Sequence, residues 1–109
     1  MQDRVLGMLG LAEKAGALVS GGFSTENAVK SGKARLVIVS EDAQKNTTSL
    51  FENKCEFYGI PLRRYGTKET LGHAIGKGER SCLAVTQEGF AGSLVKLLDS
   101  ANTAEDSSE

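Results

Sequence analysis

The chain has 109 residues, 39% of them hydrophobic and 25% charged, the proportions of a soluble globular domain able to bury a single core. No apolar run approaches the roughly 20 residues of a membrane span, and the acid-containing start MQDRVLGMLGLAEKAG lacks the long apolar stretch and cleavage site of a secretory signal. The formal net charge of −1 hides an asymmetry: Asp99, Glu105, Asp106 and Glu109 lie in a base-free end, which leaves thirteen bases against ten acids over residues 1–98, a mild excess that permits an anionic partner without demanding one.

In chain order, Val5, Leu6, Leu9, Ala12 and Ala15 recur at helical spacing, and Gly16 is placed to stop that helix. ALVS then reads as a short strand. Ser24 is a favoured N-cap residue type, which predicts a helix over residues 25–31 with Gly32 at its end. ARLVIVS is almost uniformly apolar and is expected as a central strand covered on both faces. From Asn46 onward, Leu50, Phe51, Cys55 and Tyr58 share one helical face, and YGIP ends that helix before a strand at LRRY. Strand alternation sends Arg63 and Arg64 to opposite sides. Thr67 is expected to cap a short helix through Leu71, Ala74 and Ile75, CLAVT is a second central strand, and Phe90, Leu94, Leu97 and Leu98 form the core face of a last helix. Strands separated by helices predict an α/β fold, a three-layer α/β/α sandwich around a small parallel or mixed sheet. Residues 1–98 read as one domain. Residues 99–109, acidic and without hydrophobic period, read as a disordered tail.

Nothing in the chain assembles a reaction. Cys55 and Cys82 lack metal-ligand spacing and sit inside apolar patterns, as reduced core thiols of a cytoplasmic protein do. His73, the single histidine, has no acid–base constellation around it and reads as an exposed or helix-capping residue. Glu41 and Asp42 end a central strand, where ligands often bind in such sheets, yet adjacent acids in a turn more often cap a helix or face water. The glycines fit neither phosphate-binding fingerprint. The expectation is a protein without catalytic residues, metal or cofactor.

The runs LGLAEKAGALVSG, AVKSGKARLVIVSEDA, YGIP, LGHAIGK and AVTQEGFAGSL, in this order and spacing, resemble the kink-turn-binding ribosomal-protein family of the L-seven-Ae type, and within it the small YlxQ-type bacterial members. The resemblance covers residues 4–98. It implies a four-stranded mixed sheet in the three-layer sandwich and a non-catalytic protein that binds structured RNA, probing a kinked or bulged element with the start of its second helix and two neighbouring loops. It also implies ribosomal RNA, the ribosome or translation proteins as partners; no membrane partner is expected, and a monomer is expected over an oligomer. The physical logic is that a glycine lets the backbone approach, free N–H groups at a helix start attract an anion, and side chains read unstacked bases.

At the positions of the family's RNA-facing segments, the expected RNA-binding set is Gly21, Gly22, Phe23, Ser24, Asn27, Lys30, Ser31, Gln44, Lys77 and Arg80. The family's glycine is kept as Gly21, but Phe23-Ser24 stands in place of Asn-Glu, and Asn27 in place of a lysine. Losing two such contacts at roughly 1–3 kcal/mol each would cut affinity by factors of roughly tens to tens of thousands. GKGERS replaces the family's apolar loop before the last strand, which offers Lys77 and Arg80 as phosphate or stacking contacts, or as solvated loop charges. Lys30 and Lys33 are candidates to track a backbone, or an ordinary solvated helix face. Phe23 has two readings: a stacking platform for an unpaired base, or a hydrophobic staple placed before an N-cap at Ser24. The staple is preferred, because no second aromatic stands nearby. The alternative function is a protein-interaction module on the same scaffold, anchored by Phe23.

Overall fold

In a computed structural model, which describes the backbone of residues 3–107 and side chains over residues 3–100, the chain forms five helices and four strands. They follow as α1 (Arg4–Lys14), β1 (Leu18–Ser20), α2 (Gly22–Lys30), β2 (Leu36–Val39), α3 (Lys45–Tyr58), β3 (Leu62–Arg64), α4 (Lys68–Ala74), β4 (Cys82–Val85) and α5 (Glu88–Ser107). The strands pair in the order β1-β4-β2-β3. β2 and β3 are parallel, and β4 runs antiparallel to both β1 and β2. The sheet is therefore mixed, and the fold is the expected three-layer α/β/α sandwich.

The two apolar strands are central because they can be buried on both faces. Alternation splits their side chains. Leu36, Ile38, Leu83 and Val85 meet Leu9, Leu71 and Leu94 of α1, α4 and α5. On the other face Val37, Val39, Cys82 and Ala84 meet Val29, Phe51 and Cys55 of α2 and α3. Truncating a fully buried leucine such as Leu9 or Leu94 costs on the order of 2–5 kcal/mol. The exposed Arg63–Asp99 pair, at 3.0 Å, is worth about 1 kcal/mol at most. Stability thus resides in the two clusters. Arg63 and Arg64 do point to opposite partners, Arg63 to Asp99 of α5 and Arg64 to the loop after β2. Asp99, counted above with the tail, is anchored to the sheet by this contact.

Three local expectations change. The helix backbone of α5 continues to Ser107, beyond the boundary drawn at residue 98; no glycine or proline follows Gly92 to stop it. Residues 108 and 109, and side chains from residue 101 on, lie outside the described residues. In α3 only Phe51 and Cys55 are buried; Leu50 and Tyr58 keep 38% and 42% of their surface, since they flank the narrow arc that faces the sheet. Finally, α2 begins earlier than expected. Its N-cap is Gly21 at φ +91°, and Ser24 lies inside the first turn.

Tyr65, just past β3, ties this edge strand to the first helix: its hydroxyl donates to Asp3 Oδ2 at 2.6 Å, while Asp3 Oδ1 accepts the Leu6 N–H and caps α1. Burial, then the Asp3 hydrogen bond and the charges of Asp3 and Glu41, push the Tyr65 phenol up to about 12. An unfolded tyrosine ionises near 10. The raised folded value means that this contribution is complete below about pH 10 and is lost as pH rises toward about 12. Urea unfolding at neutral and at alkaline pH should therefore show a steeper alkaline loss for the wild type than for Tyr65→Phe. Equal slopes would remove Tyr65 as the cause.

Candidate nucleic-acid interface

Because β1, β2 and β3 share a direction, their C-terminal ends meet at one edge of the sheet, where α2, α3 and α4 start. Ligands in open α/β sheets bind at such an edge. Each helix start adds a partial positive charge, and those of α2 and α3, which no side chain of the N-cap residue caps, leave N–H groups without a partner.

The β1–α2 turn is one of the two starts without a side-chain cap. Gly21 donates its N–H to Cys82 O at 3.0 Å, fixing the turn on the central strand. Its φ of +91° is a conformation that other residues adopt only with strain. Thr25 makes the first backbone bond of the helix, to Gly21 O, and no side chain caps the turn. The N–H groups of Gly22, Phe23 and Ser24 are left without an intrahelical partner. With Gly21 as N-cap, Phe23 falls on the first turn itself and is 81% exposed. The staple reading of Phe23 is therefore wrong, and so is Ser24 as the cap. A ring with a free face stands beside free N–H groups.

The structure brings Ser24, Asn27, Lys30 and Ser31 together, as helical spacing requires. With Lys33 they line an open groove of about 560 Å³ between α2 and the outer edge of β1. Lys30 pairs loosely with Glu26 at 3.9 Å, and Glu26 is shared with Lys54 at 3.7 Å. Gln44 is the N-cap of α3 and makes no side-chain cap bond, so its amide is available at the same edge.

Lys77 and Arg80 part company. Lys77 turns toward α1 and pairs with Glu13 at 3.8 Å. Arg80 is held at the edge: its Nε donates to Ser20 Oγ at 3.2 Å, its Nη1 to Glu79 O at 3.0 Å, and its N–H to Lys68 O at 3.0 Å. The sequence offered no way to separate them, because both are bases in one short glycine-containing loop.

Three further residues at this edge lie outside the expected RNA-binding set. Arg64 donates to Ser40 O and, at 3.0 Å, to Glu41 O. Asp42 accepts the Lys68 N–H at 2.9 Å, the helix-capping role weighed for it above. Burial acts to raise the Asp42 carboxyl, but the Ser40 hydroxyl, the Lys68 N–H and the Lys68 charge outweigh it, and the net shift is downward. Ser20 supplies the oxygen on which Arg80 rests. His73 is exposed in the last turn of α4, away from these groups. Among the described residues no group of three or more His, Cys, Asp or Glu could hold a metal ion, and no helix is long and apolar enough to cross a membrane.

Residues 3–95 match the profile of the family described as ribosomal protein L7Ae/L30e/S12e/Gadd45. The RNA-binding protein YlxQ of Bacillus subtilis (strain 168) is 39% identical over 92 residues, 84% of this chain and 92% of that protein. The RNA-binding protein YlxQ of Enterococcus faecium is 28% identical over 98 residues, 90% and 94% of the two chains. Among solved structures, a Bacillus halodurans C protein of unknown function superposes with a TM-score of 0.87 at 39% identity, over 90% of this chain and 99% of that one. The Giardia lamblia 15.5kD RNA binding protein superposes with a TM-score of 0.77 over 92% of each chain, at 21% identity, a likeness of fold.

Proposed function

The chain belongs to the ribosomal protein L7Ae/L30e/S12e/Gadd45 family, and from that premise we propose that it is a non-catalytic, monomeric RNA-binding protein of the bacterial cytoplasm. Its ligand is a structured RNA with a kinked or bulged element, ribosomal or otherwise tied to translation. The observation that carries this reading is the β1–α2 turn: an uncapped helix start on Gly21, with exposed Phe23 on it and Arg80 next to Ser20. Free N–H groups and a guanidinium suit phosphate, and an exposed ring suits an unstacked base. The relatives named as RNA-binding proteins support the ligand class.

The residues that would read a guanine edge differ here, since Ser24 and Asn27 reach less far than glutamate and lysine and carry no charge. Recognition therefore leans on shape and backbone more than on base edges. Lys30 and Lys33 in the α2 groove extend the contact along a strand.

The test is a titration against a labelled kink-turn RNA and a fully paired duplex at two salt concentrations. The expected result is preference for the kinked RNA and an affinity that falls with salt, with a shallower slope for the Lys30→Ala, Lys33→Ala double variant. Salt-insensitive or absent RNA binding, together with a protein association abolished by Phe23→Ala, would favour the interaction-module alternative instead.

A further inference from the structure

We propose that Asp42 and Arg64 are positioning residues: without touching RNA, they lock the four loops of the binding edge into one hydrogen-bonded unit and thereby set Arg80. The inference rests on the RNA-binding reading of that edge and adds to it residues outside the expected contact set.

The connections run without a gap across the edge. Arg64, at the end of β3, forks onto the loop after β2, with Nε and Nη2 donating to Ser40 O at 3.3 and 3.2 Å and Nη2 to Glu41 O at 3.0 Å. A planar guanidinium suits such a bifurcated contact, and a lysine ammonium does not. The Glu41 N–H donates to Gly66 O at 2.8 Å, in the loop before α4. Asp42 Oδ1 then accepts the Lys68 N–H at 2.9 Å. The same residue, Lys68, accepts the Arg80 N–H on its carbonyl at 3.0 Å, and Arg80 Nε reaches Ser20 Oγ at 3.2 Å on the turn that leads into Gly21. Lys68 thus has Asp42 on its N–H and Arg80 on its carbonyl. Moving Asp42 moves the peptide from which Arg80 hangs, and Arg80 in turn braces the β1–α2 turn.

Charge and position predict opposite signs for one substitution. Asp42 is an acid on an edge assigned to a polyanion, so on charge alone its removal should tighten RNA binding. If it acts by position, its removal must weaken it. Asp42→Ala is expected to bind the labelled kink-turn RNA about tenfold more weakly than the wild type. Asp42→Asn, which keeps an acceptor oxygen and loses the charge, is expected to bind at least as tightly as the wild type. Arg64→Lys, which keeps the charge and loses the fork, is expected to bind several-fold more weakly. The Arg80 Nε–Hε resonance should shift in Asp42→Ala and stay in place in Asp42→Asn.

Unchanged or tighter binding by Asp42→Ala, or wild-type binding by Arg64→Lys, would overturn the proposal. If the wild type binds neither RNA, the functional reading fails, and the resonance still decides the positioning claim: a shift in Asp42→Ala upholds it and an unmoved signal refutes it. Should Asp42→Ala not fold, Asp42→Asn and Arg64→Lys carry the same comparison.

Discussion

Replacing Gly72 with alanine is expected to lower stability by about 2 kcal/mol or more and to cost RNA affinity beyond that loss. Gly72 is buried on α4, where it faces the segment that returns from the helix to β4. A Cβ there would run into the carbonyl oxygen of Gly78, with Gly78 C at 2.7 Å and Glu79 Cα at 3.1 Å. All three are backbone atoms, so no side chain can swing aside. The Lys77 N–H also donates to Gly72 O at 2.8 Å, which holds the two segments at this spacing. Alanine gains about 1 kcal/mol of helix propensity over glycine. Overpacking costs about 1–3 kcal/mol and occasionally more, and a clash with fixed backbone belongs at the upper end, so the clash wins.

Relief by pushing residues 76–80 outward would carry Arg80 off Ser20 and Lys68. Gly7 is the internal control. It lies in the helical interior of α1, and a Cβ there meets nothing within 4 Å. Gly7→Ala is expected to stabilise by about 0.5–1 kcal/mol, the ordinary difference between the two residues in a helix. Thermal unfolding of the two variants side by side checks the pair, and a Gly72→Ala protein as stable as the wild type would show that the return segment yields freely.

What could be read from the sequence divides along physical lines. β2 and β4 were legible because burial on both faces leaves an unbroken apolar run. The Thr67 cap was legible because capping is local: Thr67 and Thr70 exchange hydrogen bonds three residues apart. The opposite orientations of Arg63 and Arg64 followed from the pleat alone. The start of α2 was misplaced because Ser24 is the better cap by residue type, while the real cap is chosen by a tertiary bond from Gly21 to Cys82. The same shift carried Phe23 from a staple position to an exposed one. The positioning network could not be read, since Asp42 and Lys68 lie 26 residues apart, Arg64 and Ser40 lie 24 apart, and Arg80 and Ser20 lie 60 apart. For the same reason Lys77 looked equivalent to Arg80 until Glu13 of α1 claimed it.

Arg80 is the second position where a single change should have a large effect, this time on binding more than on folding. Its Nε and Nη1 are held by Ser20 Oγ and Glu79 O, and no acceptor among the described residues takes up Nη2. The guanidinium is thus pre-oriented at the mouth of the β1–α2 turn, with one donor nitrogen left for a phosphate oxygen. A charged hydrogen bond of this kind contributes about 1.5–3 kcal/mol, so Arg80→Ala is expected to weaken binding of the kink-turn RNA by about ten- to a hundredfold. Losing one phosphate contact should also reduce the magnitude of the salt slope by about 0.7–0.9. Arg80→Lys separates charge from geometry. Lysine keeps the charge but cannot brace Ser20 and Glu79 while offering a further in-plane donor. It is expected to retain the salt slope and to recover only part of the affinity. Full recovery by lysine would mean that Arg80 acts as a point charge and that the bracing of its guanidinium is incidental. Failure of both variants to change affinity would move the RNA away from this turn altogether, toward the α2 groove lined by Asn27, Lys30 and Lys33.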